Sequence, residues 1–141
     1  MKIGLMNNPT ASLADEVAAI GGAGYDFVDL PMEPPGASEV DTEKILPILK
    51  KHALAVVGHT DPCLPYAYPI DGIRRACLRE LARCARIFAK LGAGLMNIHP
   101  CYFCPPATRR SLVEMNISAL REVVGMAAGH GLTVVLENFR A

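Results

Sequence analysis

The 141-residue chain reads as an α/β protein of five parallel strands and four helices in the order βαβαβαβαβ. Three observations predict this class. Short apolar runs of strand length alternate with stripes at helical spacing from the first residue onward. The connections after helices are terse and glycine-rich (GGAG, GAG, GHG), whereas ten of the eleven prolines sit in longer segments that follow strands. The composition, 51% hydrophobic and 20% charged, is that of one soluble domain with a core, expected here to span residues 1–141. Such alternation implies right-handed crossovers, and fits either an open doubly wound sheet or part of a (β/α) barrel.

Met1 to Met6 is the first strand, and Ser12 with Asp15 makes a capping signature for a helix whose face carries Leu13, Val17 and Ile20. Gly21, Gly22 and Gly24 end it. Tyr25 to Leu30 is the second strand, and Asp41 caps a second helix to about His52, with Pro47 inside as an expected kink. Ala53 to Gly58 is a continuous apolar run, as in strands covered on both faces. Asp71 opens the third helix, with Ile73, Cys77, Leu81, Cys84, Phe88 and Leu91 on an inward stripe. Arg75, Arg79, Arg83, Arg86 and Lys90 form a second stripe, read as a solvated face. Leu95 to His99 is strand four. Ser111 with Glu114 signals the fourth helix, expected to bury Val113, Ile117, Leu120 and Val124, and Leu132 to Glu137 is strand five.

The charge balance, 14 basic against 14 acidic residues, weighs against nucleic acid as the main partner. No apolar run reaches the roughly 18 residues of a spanning helix, so no membrane segment is expected and a cytoplasmic protein is the default. Five cysteines without a secretion signal read as reduced thiols.

In both candidate architectures ligands bind at the carboxyl ends of the strands, where the long proline-bearing loops lie. Three strands end there in strong ligands: His59, His99 and Glu137. A single strand-end histidine is usually a loop residue bonded to backbone. Three at equivalent ends argue for one shared mouth, and two imidazoles with a carboxylate suit a divalent metal, zinc or manganese.

The segments VVGHTDPCLP, LMNIHP and VVLENF, with KIGLM and FVDLPMEPP before them, resemble the xylose isomerase-like TIM-barrel superfamily along the whole chain. That superfamily holds sugar and sugar phosphate isomerases and epimerases and the related abasic-site endonucleases. The resemblance implies a partial TIM barrel in which Glu137 is a metal ligand and half of the carboxylate pair that moves a proton beside a carbonyl. It implies that His59 and His99 match the histidines that share a metal with that Glu in the endonuclease branch. His99 would then act as ligand or as electrophilic partner of the substrate oxygen. Further family ligands belong on later strands. Eight units of this size would need about 250 residues, so the chain is expected to be the amino-terminal part of a barrel, completed by a homo-oligomer or a partner chain.

The leading expectation is therefore a metal-dependent isomerase or epimerase of a sugar or sugar phosphate. An abasic-site phosphodiesterase and a non-catalytic half-barrel are the alternatives. Glu33, after strand two, could contact substrate hydroxyls or be a solvated loop acid; Tyr66, Tyr68 and Tyr102 could stack on a sugar ring or pack the loops. Cys101 and Cys104 form a C-x-x-C that could add soft ligands, cycle as a redox pair or be plain loop thiols. Arg109 and Arg110 could hold a phosphate or be exposed, and His130 reads as a helix-terminal charge.

Overall fold

The computed structural model describes residues 1–34, 40–102 and 108–138. The elements alternate as β1 (Gly4–Met6), α1 (Leu13–Gly22), β2 (Phe27–Met32), α2 (Thr42–His52), β3 (Ala55–Thr60), α3 (Asp71–Lys90), β4 (Leu95–Ile98), α4 (Arg109–Ala128) and β5 (Thr133–Leu136). The strands form one parallel sheet in the order β1-β2-β3-β4-β5. A doubly wound sheet reverses its order at a switch point, so the strictly sequential order decides for a partial barrel.

The strand period of two gives each face its own chemistry. Val28, Leu30 and Met32 of β2, Val56 of β3, and Met96 and Ile98 of β4 are buried with Val17, Ile20, Leu49, Leu81 and Phe88 of the helices. Gly58 leaves room on β3 for Phe88, which is fully buried, and a Cβ at Gly58 would overlap that ring. Phe27, Asp29, Val57, His59, Leu95, Asn97, Thr133 and Val135 alternate onto the opposite, barrel-interior face.

Asp41 caps α2 as expected, accepting from the backbone N–H groups of Glu43 and Lys44. The helix runs on through Pro47, which lacks the N–H that would bond Glu43 O; both residues are exposed. It ends at Ala53, in the left-handed region at φ 50°, so Ala53 belongs to the helix cap and β3 starts two residues later. Ser12 stands at the α1 N-cap but its side chain makes no capping bond. Pro31 lies within β2 and not after it. Asn7 N–H donates to Asp29 O at 3.3 Å, so the next ladder bond on that side would come from the N–H of residue 31, which proline lacks, and the β1–β2 pairing ends at Met6 and Asp29.

The fourth helix departs furthest from expectation. Its cap is Thr108, which accepts from Ser111 N–H, while Glu114 pairs with Arg110 at 2.9 Å. Ala119, Val123 and Ala127 are its buried residues. Val113, Ile117 and Val124 are 49%, 46% and 49% exposed, with Leu120 half-buried beside them. The stripe is real, but helical spacing puts it on the flank away from Met115, Glu122 and Met126, which line the groove toward α3. No described element covers that flank. Ile73 of α3 is likewise 39% exposed.

Candidate functional site

The carboxyl end of the interior face gathers three side chains from three strands. His59 is the fifth residue of β3 and pairs with Asn97 of β4, and His99 follows two residues later on the same face. Glu137 follows β5, its N–H donating to Ile98 O at 2.9 Å so that the ladder carries it to the level of His99. Both histidines are 5% exposed. Their Nε2 atoms face each other at 2.8 Å, with ring centroids 5.0 Å apart. Glu137 Oε2 lies 3.9 Å from His59 Nε2 and 4.0 Å from His99 Nε2, and its side chain is half exposed to the open side of the sheet.

Three further contacts hold this group, and all come from residues that sequence reasoning passed over. Asp29 of β2 lies behind His59, its carboxylate oxygens 3.2 and 3.3 Å from Nδ1. That hydrogen bond raises the His59 imidazole above its ordinary value against the opposing effect of burial, and the charges of Asp29, Glu137 and Glu33 push the same way. Asn97 donates from its amide to Glu137 Oε2. Asn116 of α4 pins the segment after β4, accepting from Cys101 N–H at 2.7 Å and donating to Cys101 O at 2.9 Å. A signal for Asp29 and Asn97 was present: each is a polar residue on the interior-facing phase of an otherwise apolar strand.

The structure separates the remaining predicted residues. Glu33 is half-buried at the end of β2, close enough to act on His59 through its charge. Tyr102 is 51% exposed on the rim. Tyr66 is 2% exposed, and its hydroxyl donates to His99 O at 2.8 Å and more weakly to Asn116 Oδ1. It faces the protein rather than the mouth, which corrects the expectation that it stacks on a substrate: a buried phenol goes where a carbonyl can accept its proton. Arg109, Arg110 and His130 are exposed. Cys101 is buried and Cys104 lies outside the described residues.

The donor set fits a divalent cation. Two imidazole lone pairs aimed at each other repel unless a proton or a cation lies between them, and a carboxylate oxygen stands next to both. Ligand atoms of His59, His99 and Glu137 all lie within 4.8 Å of one another. Nitrogen and oxygen donors of this kind bind zinc at about 2.0–2.2 Å.

Residues 16–140 match the family model described as xylose isomerase-like TIM barrel, and the chain belongs to that family. No curated protein matches it significantly. Among solved structures it is similar to a D-tagatose 3-epimerase-like protein (TM-score 0.87, 19% identity, 100% of this chain and 54% of that one). It is also similar to D-psicose 3-epimerase from Clostridium cellulolyticum H10, solved with D-tagatose (0.80, 16%, 96% and 52%). A third similar structure is 3-keto-D-glucoside 4-epimerase from E. coli (0.76, 18%, 96% and 55%). The chain thus spans about half the length of the structures it matches, and at these identities the likeness is one of fold. None of the described helices is long and apolar enough to cross a membrane.

Proposed function

We propose that the chain carries the first metal-binding part of an isomerase or epimerase that acts on a sugar or sugar phosphate by proton transfer beside a carbonyl. The observation that carries this reading is the meeting of His59, His99 and Glu137 at the carboxyl end of three parallel strands. The sugar epimerases of the same fold support it.

His59 and His99, with Glu137, would hold zinc or manganese. Bound there, the cation supplies polarisation of the substrate carbonyl oxygen. Glu137, half exposed beside two buried imidazoles, accepts the proton from the carbon next to that carbonyl, and Asn97 fixes the carboxylate while it does so. Tyr66 holds His99 through its backbone carbonyl, and His99 would serve as metal ligand or, in its place, as electrophilic partner of the substrate oxygen. Glu33, half-buried after β2, would contact sugar hydroxyls, and Tyr102, 51% exposed, would stack on the sugar ring. Proton removal and return on one face give exchange; inversion requires a second acid on the other face, which the family carries on later strands. The stripe Val113, Ile117 and Val124 and the outer edge of β5, which no described strand pairs, therefore suit a polypeptide, either a second copy or a partner chain, that completes the barrel. Among the described residues, the free thiols of Cys63, Cys77 and Cys84 favour a reducing, cytoplasmic setting.

The test is incubation of ketoses and ketose phosphates with the protein and manganese in heavy water. Deuterium at the carbon beside the carbonyl, lost in Glu137→Gln, is the expected result. Cleavage of abasic duplex DNA without labelling of sugar would replace this reading by a phosphodiesterase using the same trio, and neither reaction would leave a half-barrel that does no chemistry.

A further inference from the structure

We propose that Asp29 is the positioning residue of the candidate centre: by accepting the Nδ1 proton of His59, it fixes the tautomer in which the Nε2 lone pair faces His99 and Glu137. This rests on the metal-binding reading above for its purpose, but not for its test.

The argument starts from register. Asp29 pairs with Val57, and His59 pairs with Pro31, so Asp29 and His59 are diagonal neighbours on the interior face of adjacent strands. Diagonal neighbours on one face lie within reach of long side chains, and an imidazole spans the gap. Both carboxylate oxygens sit close to Nδ1, at 3.2 and 3.3 Å. An ionised carboxylate only accepts, so Nδ1 must carry a proton. In the neutral ring the other nitrogen then has none, and that nitrogen is the one lying 2.8 Å from His99 Nε2.

The placement is costly without such a purpose. Asp29 is a half-buried acid on a strand whose neighbours Val28 and Leu30 are core, and its side chain is 24% exposed. Among the described residues, the titratable groups that face His59 from the packed strands are Asp29 from β2, Glu33 beyond it, His99 after β4 and Glu137 after β5. Asp29 approaches from the rear of the ring, on the nitrogen turned away from the trio. Outer carboxylates of this type orient a histidine ligand and raise its basicity, and their loss weakens metal binding about 10- to 100-fold.

The experiment has two readouts on the whole chain. Long-range proton–nitrogen correlation NMR on nitrogen-15 histidine protein, on the alkaline side of the imidazole titration, reads the tautomer without metal. His59 is assigned by the signals lost in His59→Gln. The expected result is a protonated Nδ1 and a bare Nε2 in the wild type, kept in Asp29→Asn, whose carbonyl still accepts, and lost in Asp29→Ala. Titration with zinc or manganese then reads affinity, expected to fall about 10- to 100-fold in Asp29→Ala and less in Asp29→Asn. An Nε2-protonated His59 in the wild type, or a tautomer unchanged in Asp29→Ala, overturns the inference. So does metal stoichiometry that vanishes in both variants with the tautomer intact, since Asp29 would then be a ligand itself. A wild type that binds no metal defeats the metal-binding reading alone, and the tautomer still decides the role of Asp29. Should Asp29→Ala fail to fold, Asp29→Asn against Asp29→Leu gives the same comparison.

Discussion

His59 and His99, 40 residues apart in sequence, bring their Nε2 atoms to 2.8 Å. Parallel pairing is the cause: His59 stands opposite Asn97, and the next residue of the same phase on β4 is His99. The proximity is therefore a property of the ladder, and substitutions that leave the sheet intact can test each donor separately.

Removing one donor should strip the metal. Glu137→Ala and His59→Ala are expected to lower zinc or manganese affinity by about two orders of magnitude or more, and Cys63→Ala, on an exposed free thiol, to leave it unchanged. Metal content after gel filtration and competitive titration measure this. Equal retention in all variants would remove the trio from consideration.

The uncovered flank of α4 should drive association. Val113, Ile117 and Val124 lie together on it, and no described strand pairs with the outer edges of β1 and β5. Light scattering is expected to give a dimer or larger species, and Ile117→Lys combined with Val124→Glu to shift the mass toward monomer. A wild-type monomer with cooperative melting contradicts this expectation.

Gly58 and Phe88 should behave as one packing unit. Gly58→Ala is expected to cost about 1–3 kcal/mol in urea unfolding, because its Cβ would enter the space of the fully buried Phe88 ring. Gly58→Ala with Phe88→Leu should cost less than the sum of the two single changes. Strict additivity would show that the ring does not limit the strand.

Ala53 should be improved by losing its Cβ. It is the one described non-glycine residue at positive φ, at 50°, on the C-cap of α2. Relief of the left-handed strain is worth about 1–2 kcal/mol before the added flexibility of the unfolded chain is subtracted. Ala53→Gly is thus expected to raise the urea midpoint, whereas Ala53→Val should lower it.

Glu80 supplies a pH signature away from the site. The Arg83 guanidinium, with Nη2 at 2.6 Å, holds the Glu80 carboxyl below its ordinary value against the effect of burial. A depressed folded value means the stabilisation is present above the unfolded value, about 4.3, and is lost as pH falls through the folded one. Both side chains are about one-third exposed, so the pair contributes only about 0.3–0.5 kcal/mol. Glu80→Gln should therefore separate from the wild type by that amount at neutral pH and converge with it in acid, as read by denaturant midpoints across the pH series.

The alternation of elements and the meeting of His59, His99 and Glu137 at the carboxyl ends of their strands were legible in the sequence, because strand phase is a local property. The Asp41 cap was legible for the same reason. Tertiary structure decided which phase of each face found a cover. The apolar stripe of α4 has helical spacing yet lies exposed, since burial depends on a neighbour that periodicity does not name. Tyr66 turned inward because His99 O, 33 residues away, accepts its proton. Asp29 and Asn97 meet His59 and Glu137 only because the ladder sets them side by side. A sequence records which side of a strand a residue takes, but distances across strands follow from register, and register exists only in the folded sheet.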